Sequence, residues 1–308
     1  MRRSKEGLTV LGADFLPATA TVQAEGQEPK LVLPKNLLAN YVAITVSGEN
    51  AVVRILNMPG LSDASQIPAD QVREHVGLGE EYRIGFVVAS PGRGKQEAKV
   101  LVVGIPEQEA QAVLKMVAVG APAPFSIEVA GLSTLTAFLQ GPGAQHVQEA
   151  VGVIESGAKV TFMALFNRGV LALVRKFDFG SESLLGKVQQ QLGVDRDTAQ
   201  GIISDGSFDI SQPVHEVMDP FLRQLSISKD FVERREDCRI GKFYVSGGAS
   251  LSRYWMDEIV NASGIEVVRW NPFADMQVAS GAMPEALQGQ ESRFAAAVGA
   301  CLGVFSES

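Results

Sequence analysis

Three apolar, β-branched runs follow one another between residues 150 and 180 with no room for a helix between them: "AVGVIES", "KVTFMALFNRG" and "VLALVRKFDFG". Strands so close in sequence fold back as neighbours, and the "NRG" that joins the last two carries the glycine of a tight hairpin turn, so the region predicts a β-meander. The next 60 or so residues change character. "SESLLGKVQQQLGV", "DRDTAQGIISDG" and "VHEVMDPFLRQLSISKDFVERRED" read as helices, with Pro220 expected to kink or restart the last of them. "FYVSGGASLSRYWMDEIV", residues 243 to 260, then runs a strand into two glycines and out into a helix bearing Trp255, Ile259 and Val260. A strand "EVVRW", the tripeptide "NPF" and an alanine-rich helix "ESRFAAAVGACLGV" follow.

The first half has the same plan. "LTVLGADF", "ATATVQAEG" and "YVAITV" are short β-like runs resembling the opening hairpin of a sheet, with a turn at "AEGQEP". "AVVRILNMPG" leads to a short helix, "IPADQVREHVG", with caps available in "LSDAS". "EYRIGFVVAS" and "AKVLVVGI" form a hairpin. Its loop contains "SPGRGK", which fails as a phosphate loop because Gln96 follows Lys95 where Ser or Thr is required. A helix, "PEQEAQAVLKMVAVG", is expected to end on a left-handed Gly120, and a strand, "FSIEVA", and a helix, "LSTLTAFLQG", come next. "GPGAQHVQEA" reads as a linker, with a boundary near residue 148. Strands then helices, twice over, predict two α/β lobes, and 308 residues at 46% hydrophobic are enough to give each a core.

Composition narrows the function. The balance of 27 Lys+Arg against 35 Asp+Glu gives −8, without a basic tract interleaved with aromatics, which argues against nucleic acid. Cys238 and Cys301 stand far apart and His75, His146 and His215 are scattered, so the pattern predicts neither a disulfide framework nor a metal centre. The opening "MRRSKEGLTVLGADFLPATATVQA" imitates a signal peptide, but Glu6, Asp14 and Pro17 interrupt its apolar stretch. The longest apolar run, residues 294 to 305, is short of the roughly 20 residues of a membrane span. A soluble cytoplasmic protein is the expectation.

The ordered set "VIESGAKVTFMALFNRGVLALVRKFDFGSESL", "YVSGGASLSRYWMDEIVNASGIEVVRWNPF" and "RFAAAVGACLGV" resembles the PilM family of type IV pilus assembly proteins, with FtsA and the cytoplasmic domain of GspL as structural cousins. The resemblance spans about residues 42 to 305 and is denser in the second half. It implies an α/β, actin-like fold of two ribonuclease-H-like lobes, with a small α/β insertion in the first and a helical insertion in the second. The implied division is 1–148 for the first lobe (insertion about 46–128) and 149–285 for the second (helical insertion about 183–240), with 286–308 packing back on the first.

For the cleft between the lobes, the resemblance implies ATP with magnesium. Gly12 and Asp14 fall on the first phosphate hairpin, Glu155, Gly157 and Ala158 on the second, and Gly247, Gly248 and Ala249 on the adenosine side. Departures are concentrated on the phosphate side. Leu16 stands where the family has a second glycine, Pro17 where it has a serine, and Thr21 near its lysine. Glu155 replaces an aspartate, and Gln200 and Ile203 replace a Glu and a Lys that face sugar and base. Between the early strands and the insertion, "QEPKLVLPKNLLAN" leaves room for about two helical turns.

The function implied is a scaffold with a degenerate nucleotide cleft. It would bind the cytoplasmic tail of a PilN-like inner-membrane protein, with a pilus or secretion ATPase and a second copy of the chain as further candidate partners. No catalytic or metal-binding residue is assigned, and the groove residues are not assignable from sequence. The alternative is an ATP-binding or ATP-hydrolysing protein of the actin, Hsp70 and sugar-kinase superfamily, in which Asp14 or Glu155 would organise magnesium and water. An FtsA-like division protein is a third reading; the chain stops at "GVFSES" without the amphipathic membrane helix such proteins carry, so recruitment to the membrane through a partner is expected.

Overall fold

The chain enters through a hairpin, β1 (Arg2–Ser4) and β2 (Gly7–Val10). The structure, a computed structural model, describes residues 1–5, 7–16, 21–22, 30–58, 67–92, 97–117 and 122–306. The basic "RRS" is therefore a strand, and the run "LTVLGADF" is one only as far as Val10. Beyond it the backbone is claimed by residues 279–282: the Ala279 N–H donates to the Val10 carbonyl (3.0 Å) and the Ala13 N–H to the Ala282 carbonyl (2.7 Å). β3 (Thr21–Val22) and β4 (Lys30–Leu31) make a minimal pair, and the described part of the stretch with room for about two helical turns holds a 3-10 turn over Lys35–Leu37.

β5 (Tyr41–Val46) leads into the insertion: β6 (Val52–Met58), α1 (Ala69–Val76), β7 (Tyr82–Ser90), β8 (Ala98–Pro106) and α2 (Glu107–Met116). Its sheet is antiparallel in the order β6-β8-β7. α2 ends earlier than expected, because β-branched Val117 turns extended (φ −83°, ψ 128°) to send the chain into β9 (Ala123–Val129), the parallel partner of β5. The turn at "AEGQEP", the caps in "LSDAS", the loop residues 93–96 and Gly120 lie outside the described residues. α3 (Ala130–Gln140) follows β9 directly.

The expected linker is pinned rather than free. After a 3-10 turn over Pro142–Gln145, His146 Nε2 accepts from the Tyr244 hydroxyl (2.6 Å) while Nδ1–H donates to the Glu149 carboxylate (2.6 Å). An acceptor-only carboxylate fixes that tautomer.

The meander is β10 (Ala150–Ser156), β11 (Thr161–Asn167) and β12 (Val170–Phe177), turning through Arg168 (φ 52°) and Gly169 (φ 74°) as a two-residue primed turn. Three helices follow: α4 (Ser181–Leu192), α5 (Arg196–Asp205), capped by Asp195 on the Thr198 N–H, and α6 (Ser211–Glu236). Pro220 neither ends nor restarts α6. It sits on the exposed side of one continuous helix, where water can take the carbonyl its missing N–H leaves unpaired. β13 (Ile240–Gly247), α7 (Arg253–Ser263), β14 (Glu266–Arg269), β15 (Gln277–Val278) and, after a 3-10 turn over Glu291–Phe294, α8 (Ala295–Ser306) complete the chain.

The second lobe holds a continuous five-stranded sheet, β12-β11-β10-β13-β14, with β13 parallel to β10 and β14. Central β10 is buried along its whole length, so Ala150 to Ile154 read as an unbroken apolar run rather than an alternating one, with Glu155 and Ser156 buried at its end. Its Ile154 packs under α4, α6 and α7 with Val188, Leu225 and Trp255. Val151 and Val153 face the other way, onto Phe138, Trp270 and Val298. That second core belongs to α3 and α8, which cross so closely that a Cβ on Gly299 would come within 1.7 Å of the Ser133 carbonyl oxygen. In the first lobe β2 pairs with β1 and β15, and β5 pairs with β9 as a separate ribbon.

Candidate functional site

The strand-to-helix turn at Gly247 is dictated by its neighbour strand. Parallel register sets Gly247 beside Ser156, and the backbone there is left-handed (φ 86°, ψ −179°). A Cβ at this position would lie 2.1 Å from the Ser156 carbonyl oxygen, so only glycine fits, for reasons internal to the fold. The turn is then locked. Ser250 Oγ donates to the Gly247 carbonyl (2.7 Å), and Ser252 caps α7 by accepting from the Trp255 N–H (3.5 Å).

The second glycine turn, after β10, closes with the Gly157 N–H on the Val160 carbonyl (3.0 Å). Its outward carbonyls are taken by the start of α4: the N–H groups of Ser181 and Glu182 donate to Gly157 and Ala158 (2.9 Å each). These are the donors a helix start leaves without an intrahelical partner. Glu155 lies beneath both turns. It is 8% exposed, its Oε1 sits 2.9 Å from where a Gly247 Cβ would be, and its carboxyl has no hydrogen bond or ion pair among the described residues. Burial pushes its carboxyl up to about 7.

The stretch matched to the first phosphate hairpin is filled by the chain. A Cβ on Gly12 would stand 2.7 Å from the Asn36 carbonyl oxygen and 3.0 Å from Leu37 Cδ2, so the 3-10 turn at 35–37 covers that face. Asp14 Oδ1 accepts from the Phe15 N–H (2.8 Å). Leu16 is half-buried, and Pro17 lies outside the described residues. The Phe15 ring stacks on Phe294 (centroids 4.5 Å apart, planes 27°), and the Arg293 guanidinium lies 3.9 Å from its centre.

Next to these turns is a cavity of about 430 Å³. Ala158, Gly248 and Ala249 line it from the sheet side, and Gln200 and Ile203 of α5 face them. Two of the three residues sequence reading placed on the adenosine side, Gly248 and Ala249, thus share a wall with Ala158 from the second phosphate hairpin. Gly12, Asp14, Glu155, Gly157 and Gly247 are not in its wall. Three arginines that sequence reading did not select, Arg196, Arg269 and Arg293, are in the wall, with Glu182 3.7 Å from Arg196. They come from three distant segments. Phe15 alone carried a local signal, standing beside Asp14 in the quoted motif.

A second concavity, about 340 Å³, lies between the insertion and β9. β9 contributes four successive residues, Pro124 to Ile127, and β7 three, Arg83 to Gly85. Successive residues of a strand point to opposite faces, so the run along β9 presents that strand's edge, whereas Arg83 and Gly85 share a sheet face with their cross-strand partners Ile105 and Val103. Val103 and Ile105 of β8 and Leu114 of α2 line the rest. Phe125 is 41% exposed and meets Tyr41 edge-on (6.4 Å). Arg83 is held by a two-pronged bond to Glu107 (2.7 and 3.0 Å).

Among the described residues no helix is long and apolar enough to cross a membrane, and no group of His, Cys, Asp and Glu could hold a metal ion. No curated protein matches the chain by sequence. Among solved structures, a PilM–PilN type IV pilus biogenesis complex superposes with TM-score 0.66 at 21% identity, over 86% of this chain and 80% of that one. The ethanolamine utilization protein EutJ of Carboxydothermus hydrogenoformans (TM-score 0.40, 15% identity, 64% and 60% covered) and an archaeal actin homolog in complex with ADP (0.44, 14%, 65% and 68%) align more loosely. The fold is actin-like. The model of the family described as type IV pilus assembly protein PilM matches residues 95–305, and with two thirds of its length so matched the chain belongs to that family.

Proposed function

We propose that the chain is a docking scaffold of a type IV pilus or type II secretion-like assembly platform, and that the extended cytoplasmic tail of a PilN-like inner-membrane protein lies in the groove between β7 and β9. The carrying observation is the edge of β9, whose one strand partner among the described residues is β5, facing that groove across an apolar wall of Val103, Ile105 and Leu114. An added strand is held by main-chain hydrogen bonds along an edge and selected by side chains entering the apolar space. Phe125, at the rim, is the aromatic anchor such a tail would close over. The partner would hold the chain at the cytoplasmic face of the inner membrane.

In the same reading the cleft does not turn over ATP. A magnesium triphosphate does not fit its phosphate side: the Gly12 face is covered by Asn36, Asp14 is turned onto its own chain, and Glu155 is buried with its charge suppressed. The competing nucleotide-binding reading rests on the 430 Å³ cavity beside Gly248.

Fluorescence anisotropy with synthetic tail peptides of PilN-like proteins tests the groove. Binding should weaken about tenfold or more in Phe125→Ala, since aromatic anchors at such sites are worth upward of about 1.4 kcal/mol. Failure of every tail to bind, or equal binding by the variant, would sink the proposal.

A further inference from the structure

The stack of Phe15 on Arg293 and Phe294 lies between the stretch that resembles a phosphate hairpin and the cavity beside Gly248, and it joins two parts of the molecule that the sequence keeps far apart. On one side, the loop carrying Phe15 is fixed by the Ala13 N–H on the Ala282 carbonyl (2.7 Å). On the other, Arg293 donates to Gln290 Oε1 (2.7 Å) and lines the cavity, while Phe294 rests on Phe273 (5.6 Å). Neighbouring Ser292 is wholly buried and shares a hydrogen bond with Ser250 (3.0 Å), whose hydroxyl already holds the Gly247 carbonyl (2.7 Å). A continuous path therefore runs from Phe15 through residues 292–294 to the glycine turn of the second lobe.

We infer that Phe15 and Arg293 form a built-in latch: their stack takes the phosphate side of the cleft and holds the first-lobe loop to the second-lobe turn without a nucleotide. A guanidinium over an aromatic face is attracted by the ring's quadrupole, and most strongly where water is partly excluded, as it is around half-buried Arg293. The positive charge that would otherwise meet a phosphate is spent on the protein's own ring. This rests on the reading of the cleft given above and is independent of the groove.

Hydrogen exchange on the full chain tests the latch. Phe15→Ser should speed amide exchange at residues 247–251 and 291–294 by about tenfold, the loss expected for one partly buried cation–π contact. Phe15→Tyr should exchange like the parent. Phe15 is 37% exposed, so its loss leaves the cores intact, and Arg293→Gln provides a second variant with the same expected pattern. Unchanged exchange in both Phe15→Ser and Arg293→Gln would overturn the latch and leave the cleft reading standing. A parallel titration of the parent with magnesium ATP separates the two: micromolar binding would overturn both, and none up to about 1 mM supports them.

Discussion

Gly12 and Gly247 each permit a close approach of backbone, but to different neighbours. Gly247 is pressed against the Ser156 carbonyl of the next strand, inside a five-stranded sheet. Gly12 is pressed against the Asn36 carbonyl in a surface 3-10 turn. The first is a requirement of a continuous hydrogen-bonded register; the second is a contact between two loops. The same residue type in a similar motif thus marks the rigid part of one lobe and the adaptable part of the other. A cradle for phosphate needs glycines that open onto space. Both of these open onto the protein.

Alanine at each position gives the largest test of that contrast. Gly247→Ala puts a Cβ 2.1 Å from a carbonyl oxygen in a left-handed backbone, and nothing in the sheet can yield without breaking register. A loss of about 4 kcal/mol or more is expected, seen as a collapse of the denaturant midpoint or loss of soluble protein. Gly12→Ala meets a contact of 2.7 Å that the 35–37 turn, with Lys35 and Asn36 exposed, can relieve by shifting, for a loss of about 1–2 kcal/mol. Equal losses would erase the distinction between the lobes.

Glu155 sharpens the comparison on its second-lobe side, through pH. Its carboxyl is held protonated to about 7 in the fold by burial, against about 4.3 in the unfolded chain. Between those values the unfolded state releases its proton while the native state keeps it, so stability falls as pH rises from about 4.5 to 7 and is level above. The total is of order 3 kcal/mol. Glu155→Gln should flatten that slope and be the more stable protein at pH 8, read from urea midpoints across pH. A stability of the parent relative to Glu155→Gln that rises through this window would overturn the buried, protonated carboxyl and count for the magnesium reading.

The sequence was most legible where one physical demand acted alone. Full burial of β10 wrote its first five residues, "AVGVI", as an uninterrupted apolar run, and the primed turn wrote "NRG". The capping side chains of α5 and α7, Asp195 and Ser252, were not singled out in the sequence and emerge only with the structure. Less legible were elements whose partners lie far along the chain. β1 is a strand because β2 folds onto it, not because "RRS" favours one. Val10 ends β2 because residues 279–282 claim the backbone beyond it. The arginines of the cavity follow the same rule: Arg196, Arg269 and Arg293 have nothing in common until α5, β14 and the turn before α8 are packed. Pro220 does not restart α6, because it lies on the exposed side, a fact of packing and not of the residue.

The smallest effect is at the turn of the meander. Arg168 and Gly169 both adopt positive φ, 52° and 74°, as the two-residue primed turn between β11 and β12 demands. Glycine does this freely, whereas arginine carries a steric penalty that asparagine largely avoids by local hydrogen bonding. Arg168 is exposed, so Arg168→Asn leaves the packing alone and should stabilise by about 0.5 kcal/mol, a rise of about 1–2 °C in Tm for a chain of this size. Because β12 is tied through β11 to the rest of the sheet, the gain should appear in the main unfolding transition and not as a local change. A fall in Tm would carry a different message. Arg168 also borders a cavity of about 290 Å³ with Arg239 and Asp237, the other non-glycine residue at positive φ among those described. Strain kept at two sites around one hollow, and costly to relieve, would mean that the second lobe too has a place where its backbone is shaped for contact rather than for folding.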